Sequence, residues 1–177
     1  YMTVTRTLIR ATAQDYQSPA SILERVNSLL EMESRNGMFV TAFMAFLDME
    51  SGRITYANAG HNLPLWKRKK QKSCERLEMD GIALGVTGDA VYTNKQIQLE
   101  PGDFLLFYTD GVTEAMSDTE KLFTEARLFD LLEKNKAETS NGLLSTIEKA
   151  IGEFRNGEPP SDDLTMISVH RKQKTGN

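Results

Sequence analysis

The sequence is poor in the residues that would announce several common chemistries. It has one cysteine, Cys74, which excludes an internal disulfide and any cysteine-rich metal site and suits a reducing compartment. Cys74 sits in a polar stretch with no histidine near it, so a nucleophilic thiol is not expected. Only two histidines occur, His61 and His170, and they form no HExxH-type pair. There is no Gly-rich phosphate loop of the Walker type. No run approaches the ~20 apolar residues that span a bilayer, and no secretory leader is visible. Basic residues are in deficit: 21 Lys and Arg stand against 25 Asp and Glu, a net charge of -4, which argues against a nucleic-acid binder.

What is present is ordinary for a soluble domain: 177 residues, 40% hydrophobic and 26% charged, enough to bury a core. Tyr1 opens directly into MTVTRTLIRATA, which reads as a helix already under way, so a chain cut from something longer is expected. Met2, Val4, Leu8, Ile9 and Ala13 give residues 2–14 one apolar face at helical spacing. Ser18-Pro19 is a helix start, with a capping hydroxyl followed by a proline suited to the first turn. Ile22, Val26, Leu29 and Leu30 then form an amphipathic stripe.

Residues 38–49 (MFVTAFMAFLDM) read as a buried strand, and Glu50 to Arg53 as the hairpin turn into RITYANAG. Further strands are expected near 63–67, 75–79 and 93–99. The basic run Lys67 to Lys72 is either a solvated hairpin tip or a contact patch for an acidic partner. Pro101-Gly102-Asp103 turns into the apolar strand Phe104–Tyr108. Helices follow near 124–134 and 140–155, the second burying Leu143, Leu144, Ile147, Ile151 and Phe154 and stopped by Gly157 and Pro159-Pro160. Leu164–His170 closes the fold as a strand, with His170 expected at the surface and residues 172–177 as a disordered tail. Trp66 and the Phe104/Phe107 pair read as packing residues. Strands in a run with helices set apart predict the α+β class, in one domain over residues 1–171.

Two acidic spots stand at strand ends. Asp110 follows the apolar strand in Thr109-Asp110-Gly111, and Asp162-Asp163 precede the last strand. Carboxylates so placed can converge on a hard cation such as Mg²⁺ or Mn²⁺, which prefer oxygen ligands. The same residues also serve as an Asp-Gly turn and as a loop or helix cap, and spacing alone leaves both readings open.

Four segments, in order, resemble the SpoIIE-like, sigma-factor-regulating branch of the type 2C (PPM) serine/threonine phosphatases. They are Tyr56 to Pro64 (YANAGHNLP), Gly81 to Gly85 (GIALG), Leu99 to Ala115 with its LEPGD and YTDGVTEA motifs, and Ser161 to Thr165 (SDDLT). The resemblance implies a PPM-type α-β-β-α sandwich of two mostly antiparallel sheets flanked by helices, N-terminally truncated and lacking its first strands. It implies a cytoplasmic hydrolase with two Mn²⁺ or Mg²⁺ ions, in a parent that another domain could tether to the membrane. Asp110 and Asp162 are the implied metal-binding and catalytic residues. Gly111, which would let backbone approach the metals closely, and Asp163, as a secondary residue, belong to the same implied metal site. The implied reaction is direct hydrolysis of a phosphoserine or phosphothreonine ester, the metals lowering the pKa of a bound water.

Asn58, Gly60 and His61 would shape the site; His61 either forms a tight turn or orients phosphate. The implied partners are a phosphorylated regulatory protein of the anti-sigma-factor-antagonist type and an upstream sensor or receiver domain. No nucleic-acid or membrane contact is expected, and exposed apolar surface and sheet edges would favour a homodimer. The family's Asp-x-x-Gly-x-Gly motif, which supplies a bridging aspartate, occurs nowhere in this chain. This chain by itself is therefore expected to be weakly active or inactive. The alternative is a non-catalytic phosphatase-like module that binds a protein. A phosphatase for nucleotides or small esters is a third reading.

Overall fold

The computed structural model describes residues 1–16, 18–33, 37–77, 81–160 and 162–173. In chain order the elements are α1 (Met2–Thr12), α2 (Pro19–Glu33), β1 (Ala42–Leu47), β2 (Arg53–Ala59), β3 (Leu65–Arg68), β4 (Ser73–Arg76), β5 (Lys95–Gln98), β6 (Phe104–Tyr108), α3 (Asp110–Thr113), α4 (Glu125–Lys134), α5 (Ser140–Arg155) and β7 (Met166–His170). They form two antiparallel sheets with accompanying helices, the α+β class expected. No helix among the described residues is long and apolar enough to cross a membrane. The chain divides into two units, neither continuous in sequence: residues 1–61 with 78–98, and residues 62–77 with 99–177.

In the first unit β1, β2 and β5 pair in that order. The Ser18 hydroxyl accepts the Ser21 N–H at 3.2 Å, the cap that its position ahead of Pro19 predicts. Ile22, Leu23, Val26 and Leu30 are fully buried, so Leu23 takes the place foreseen for Leu29, which is half-buried. Asn27, on the same face and also fully buried, donates to Thr87 O (2.8 Å) and accepts from Gly85 N (2.9 Å). One side chain thereby satisfies two backbone groups of the irregular 81–94 segment.

Two expectations fail here. α1 ends at Thr12, and its buried positions are Thr5 and Thr12, while Met2 and Val4 are exposed. Helical periodicity locates a face but does not say whether anything covers it. β1 is shorter than 38–49 and is half-buried to exposed, because it is the edge of its sheet and pairs only with β2 among the described residues.

The second unit is a sheet in the order β4-β3-β6-β7. β6 is central, and Leu105 and Leu106 are wholly buried. Leu128 and Leu132 of α4 and Leu143, Ile147 and Ile151 of α5 complete the core around Leu106 and Tyr108. Leu144 and Phe154 pack against it half-buried. α5 stops where Asn156 adopts the left-handed conformation ahead of Gly157. β4 comes earlier than the 75–79 foreseen, and residues 78–80 lie outside the described residues. So do Ser161 and residues 174–177 of the expected tail; Lys172 and Gln173 are exposed. His170 is only partly at the surface. It is half-buried and stacks on Phe104, with ring centroids 4.1 Å apart.

Asp103 organises this unit. It is fully buried, and its carboxylate accepts from Trp66 Nε1 (3.1 Å), Lys69 N (2.8 Å) and Glu100 N (3.0 Å). Its backbone C=O accepts from Arg171 N at 3.1 Å. A buried carboxylate is tolerated only with such a set of donors. The basic run splits: Lys67 and Arg68 end β3, and residues 69–72 make the tip. Lys67 Nζ reaches the C-terminal end of α4, donating to Leu132 O (2.8 Å), Glu133 O (3.4 Å) and Asn135 O. A cation there satisfies carbonyls that the helix leaves free and matches its dipole.

Asp103→Ala would strip one buried and two part-buried donors of their acceptor and should lower unfolding free energy by about 3 kcal/mol. Urea denaturation measures it, and a loss under about 1 kcal/mol would mean that water replaces the carboxylate. Cys74 is buried in the same core, and its burial, then the Glu133 carboxylate, push its thiol up to about 12. Alkylation of the native chain at pH 8 should therefore run about a thousandfold slower than that of the unfolded chain.

Candidate functional site

The expected site residues fall into two groups, one in each unit. In the second unit, β6 delivers Asp110. The strand is anchored by its buried run through Tyr108, whose hydroxyl is pushed above the ordinary phenol value by burial and then by the Glu125 carboxylate. Its pairing with β7 continues past the strand ends: Thr109 N donates to Thr165 O at 3.1 Å. The Thr109 hydroxyl accepts from Thr165 N (3.2 Å) and lies 3.4 Å from Asp163 O, to which it donates. One threonine therefore ties the segment leading into Asp110 to the segment leaving Asp163.

The short helix α3, which the sequence did not reveal, begins at Asp110 itself. Asp110 Oδ1 accepts from Gly111 N at 3.0 Å, and Val112 and Ala115 seat the segment in the core. Gly111 is required by contact rather than by its own backbone angles. A Cβ there would lie 2.4 Å from Asp163 O and 3.0 Å from Asp163 C. The close approach that this glycine permits is thus to the Asp163 backbone. Asp162 Oδ1 accepts from Asp163 N at 2.7 Å, which orders the acidic pair locally. Asp110, Asp162 and Asp163 all remain exposed to solvent.

Gly111, Asp162 and Asp163 line a cleft of about 150 Å³, together with Ala115, Ile151 and Arg155; Asp110 does not line it. Arg155 was not foreseen. It is half-buried in the last turn of α5, donates from Nη2 to Glu158 O, and is the cleft's one cation among the described residues. Its position just ahead of the Gly157–Pro160 stop was the only signal available.

In the first unit Asn58, Gly60 and His61 form their own cluster. Asn58 is buried at the end of β2; its Oδ1 accepts His61 N (3.0 Å) and its Nδ2 donates to His61 O (3.1 Å). Gly60 has φ +71°, and a Cβ would lie 3.0 Å from Ala83 N. Gly81 is tighter still, since its Cβ would meet Asn58 O at 2.0 Å. His61 Nδ1 is 3.3 Å from the Thr41 hydroxyl. The YANAGH and GIALG motifs are thereby packed backbone to backbone.

The acidic pair of loops suits a divalent cation in kind, offering exposed carboxylate oxygens on fixed backbone. It falls short in number: among the described residues no group of three or more His, Cys, Asp or Glu side chains is arranged to hold a metal ion.

The sequence profile of the family described as Stage II sporulation protein E (SpoIIE) matches residues 1–172. Protein IcfG of Synechocystis is 34% identical over 134 residues, which cover 76% of this chain and 21% of that protein. Phosphoserine phosphatase RsbU of Bacillus subtilis is 30% identical over 155 residues, 87% of this chain and 45% of that protein. The chain thus spans less than half the length of these relatives. The Mn-presoaked phosphatase domain of the cell-fate determinant SpoIIE from Bacillus subtilis superposes with a TM-score of 0.69 at 16% identity, over 98% of this chain and 76% of that one. The fold is accordingly that of PP2C-type phosphatase structures.

Gly111→Ala must displace the Asp163 backbone and should destabilise the chain by about 2 kcal/mol. Hydrogen exchange should rise at residues 162–165. Unchanged exchange there would show that the two acidic loops are not held together through this contact.

Proposed function

This chain belongs to the SpoIIE family, and from that premise we propose that it is catalytic-domain sequence of a metal-dependent protein serine/threonine phosphatase. Its substrate would be a phosphorylated regulatory protein of the anti-sigma-factor-antagonist type in bacterial signalling. The observation that carries the reading is the strapping of the Asp110 loop to the Asp162-Asp163 loop, by the Thr109 hydroxyl and by the fit of Gly111 on the Asp163 backbone. Rigid placement of exposed carboxylates at one end of a sheet is what a Mn²⁺- or Mg²⁺-dependent phosphate site needs. The name phosphoserine phosphatase borne by RsbU and the manganese soak of the SpoIIE domain support the same reading.

In this reading Asp110 and Asp162 are metal ligands and Asp163 assists them, while Gly111 and Thr109 fix their positions. Asn58, Gly60 and His61 shape the region through the turn described above. Arg155 is the cleft's cation for an anionic group. The large remainder of IcfG and RsbU outside the matched region is consistent with an upstream sensor or receiver domain in the parent.

A second reading, a non-catalytic phosphatase-like module, is favoured by the missing Asp-x-x-Gly-x-Gly motif and the incomplete ligand set. Mn²⁺-dependent hydrolysis of a phosphoserine protein separates the two, comparing this chain with one extended toward the N-terminus. The expected outcome is little or no turnover by this chain and clear turnover by the extended one, falling at least about a hundredfold in Asp110→Asn. No turnover in either form would favour the binding module over the phosphatase.

A further inference from the structure

The second unit carries a second concavity, of about 500 Å³, lined by four lysines against one carboxylate. Lys67 and Lys69 come from β3 and the tip after it, Lys136 from the α4–α5 connection, and Lys172 from the segment after β7; the carboxylate is Glu138. Such a cluster is conspicuous in a chain whose net charge is -4. Its field is felt by a neighbouring group. His170, also in the lining, is held below the ordinary imidazole value by burial first and then by Lys69 and Lys172. Lys67 spends its donors on the end of α4, and burial lowers its value; Lys69, Lys136 and Lys172 are exposed and available.

The groove lies at the other end of the sheet from the acidic loops. β6 and β7 pair Phe104 with His170 at the groove and Tyr108 with Met166 beside Thr109. Five strand residues separate the two ends by about 13 Å. An occupant of the groove therefore leaves Asp110 and Asp162 uncovered.

We infer that this groove is a docking site for a carboxylate-rich segment of a partner protein. The available cations, Lys69, Lys136 and Lys172, are lysine ammoniums from three separate segments, not a converging arginine fork, so they match a row of separate carboxylates better than one phosphate dianion. The one aromatic pair in the lining, Phe104 and His170, is stacked on itself and offers no platform for bases. Acidic docking at this distance would hold a phosphoprotein near the acidic loops without entering their cleft. That use rests on the phosphatase reading; the binding itself does not.

The test is fluorescence anisotropy of a labelled hexaglutamate peptide with the full chain. Binding is expected to weaken as salt rises from about 0.01 M to about 0.1 M, where the Debye length falls from about 30 to about 10 Å. Lys69→Glu/Lys136→Glu should weaken it at least about tenfold, and Lys121→Glu, outside the groove, less than about twofold. In NMR of the histidine rings, the peptide should raise the titration midpoint of His170. Absent binding, binding undiminished in the double variant, or an unmoved His170 midpoint would overturn the inference. So would displacement of the peptide by an equal concentration of inorganic phosphate, or tighter binding of an oligothymidylate, each of which assigns the groove to another anion. All of these readouts measure binding, so they stand apart from failure of the hydrolysis assay.

Discussion

The second unit depends on one buried negative charge. A carboxylate with no exposure is costly unless donors surround it, and Asp103 meets that condition with the Trp66 indole and the amides of Lys69 and Glu100. Those donors come from a strand, a hairpin tip and a turn, so the charge fixes three segments in one place. Its backbone does the same for Arg171 at the end of β7. The strand that starts from Asp103 is the one that ends at Thr109 and Asp110. The position of the candidate ligand is thus set from the opposite end of β6, through a five-residue strand of which all but Phe107 are buried.

At the acidic end, precision comes from small groups rather than large ones. The Thr109 hydroxyl and the missing Cβ of Gly111 bring two backbone segments into contact, and the carboxylates ride on them into solvent. Each of Asp110 and Asp162 accepts one neighbouring backbone amide through Oδ1 and otherwise stands in solvent. Most of the work of joining the two loops thus falls to neighbours of no obvious chemistry.

Much of this was legible in sequence where a local signal had a local cause. The Ser18-Pro19 cap, the FLLFY core strand and the apolar face of α5 all appear where their patterns place them. The acidic pair at strand ends was legible as a candidate because strand ends are read directly from where apolar runs stop. What escaped depended on partners far along the chain. The charge of Asp103 looked like turn chemistry until Trp66 and Lys69 were brought to it. Gly111 looked like a turn glycine, but its need arises from Asp163, 52 positions later (163 minus 111). Exposure of α1 and β1 escaped for the same reason, since periodicity cannot tell a covered face from an open one.

The interleaving of the two units also constrains the order in which the chain can fold as it is made. The sheet of the first unit needs β5, residues 95–98, and by then the β3–β4 hairpin of the second unit has already been synthesised. The second sheet in turn waits for β7, whose residues 166–170 are made after every other strand of that sheet. The first unit can therefore complete only once residue 98 is made, with the β3–β4 hairpin already synthesised and still lacking its sheet partners. Until β7 emerges, β6 has an open edge on the ribosome. A nascent chain stalled between residues 110 and 165 would carry the β7-facing edge of the apolar FLLFY strand unpaired.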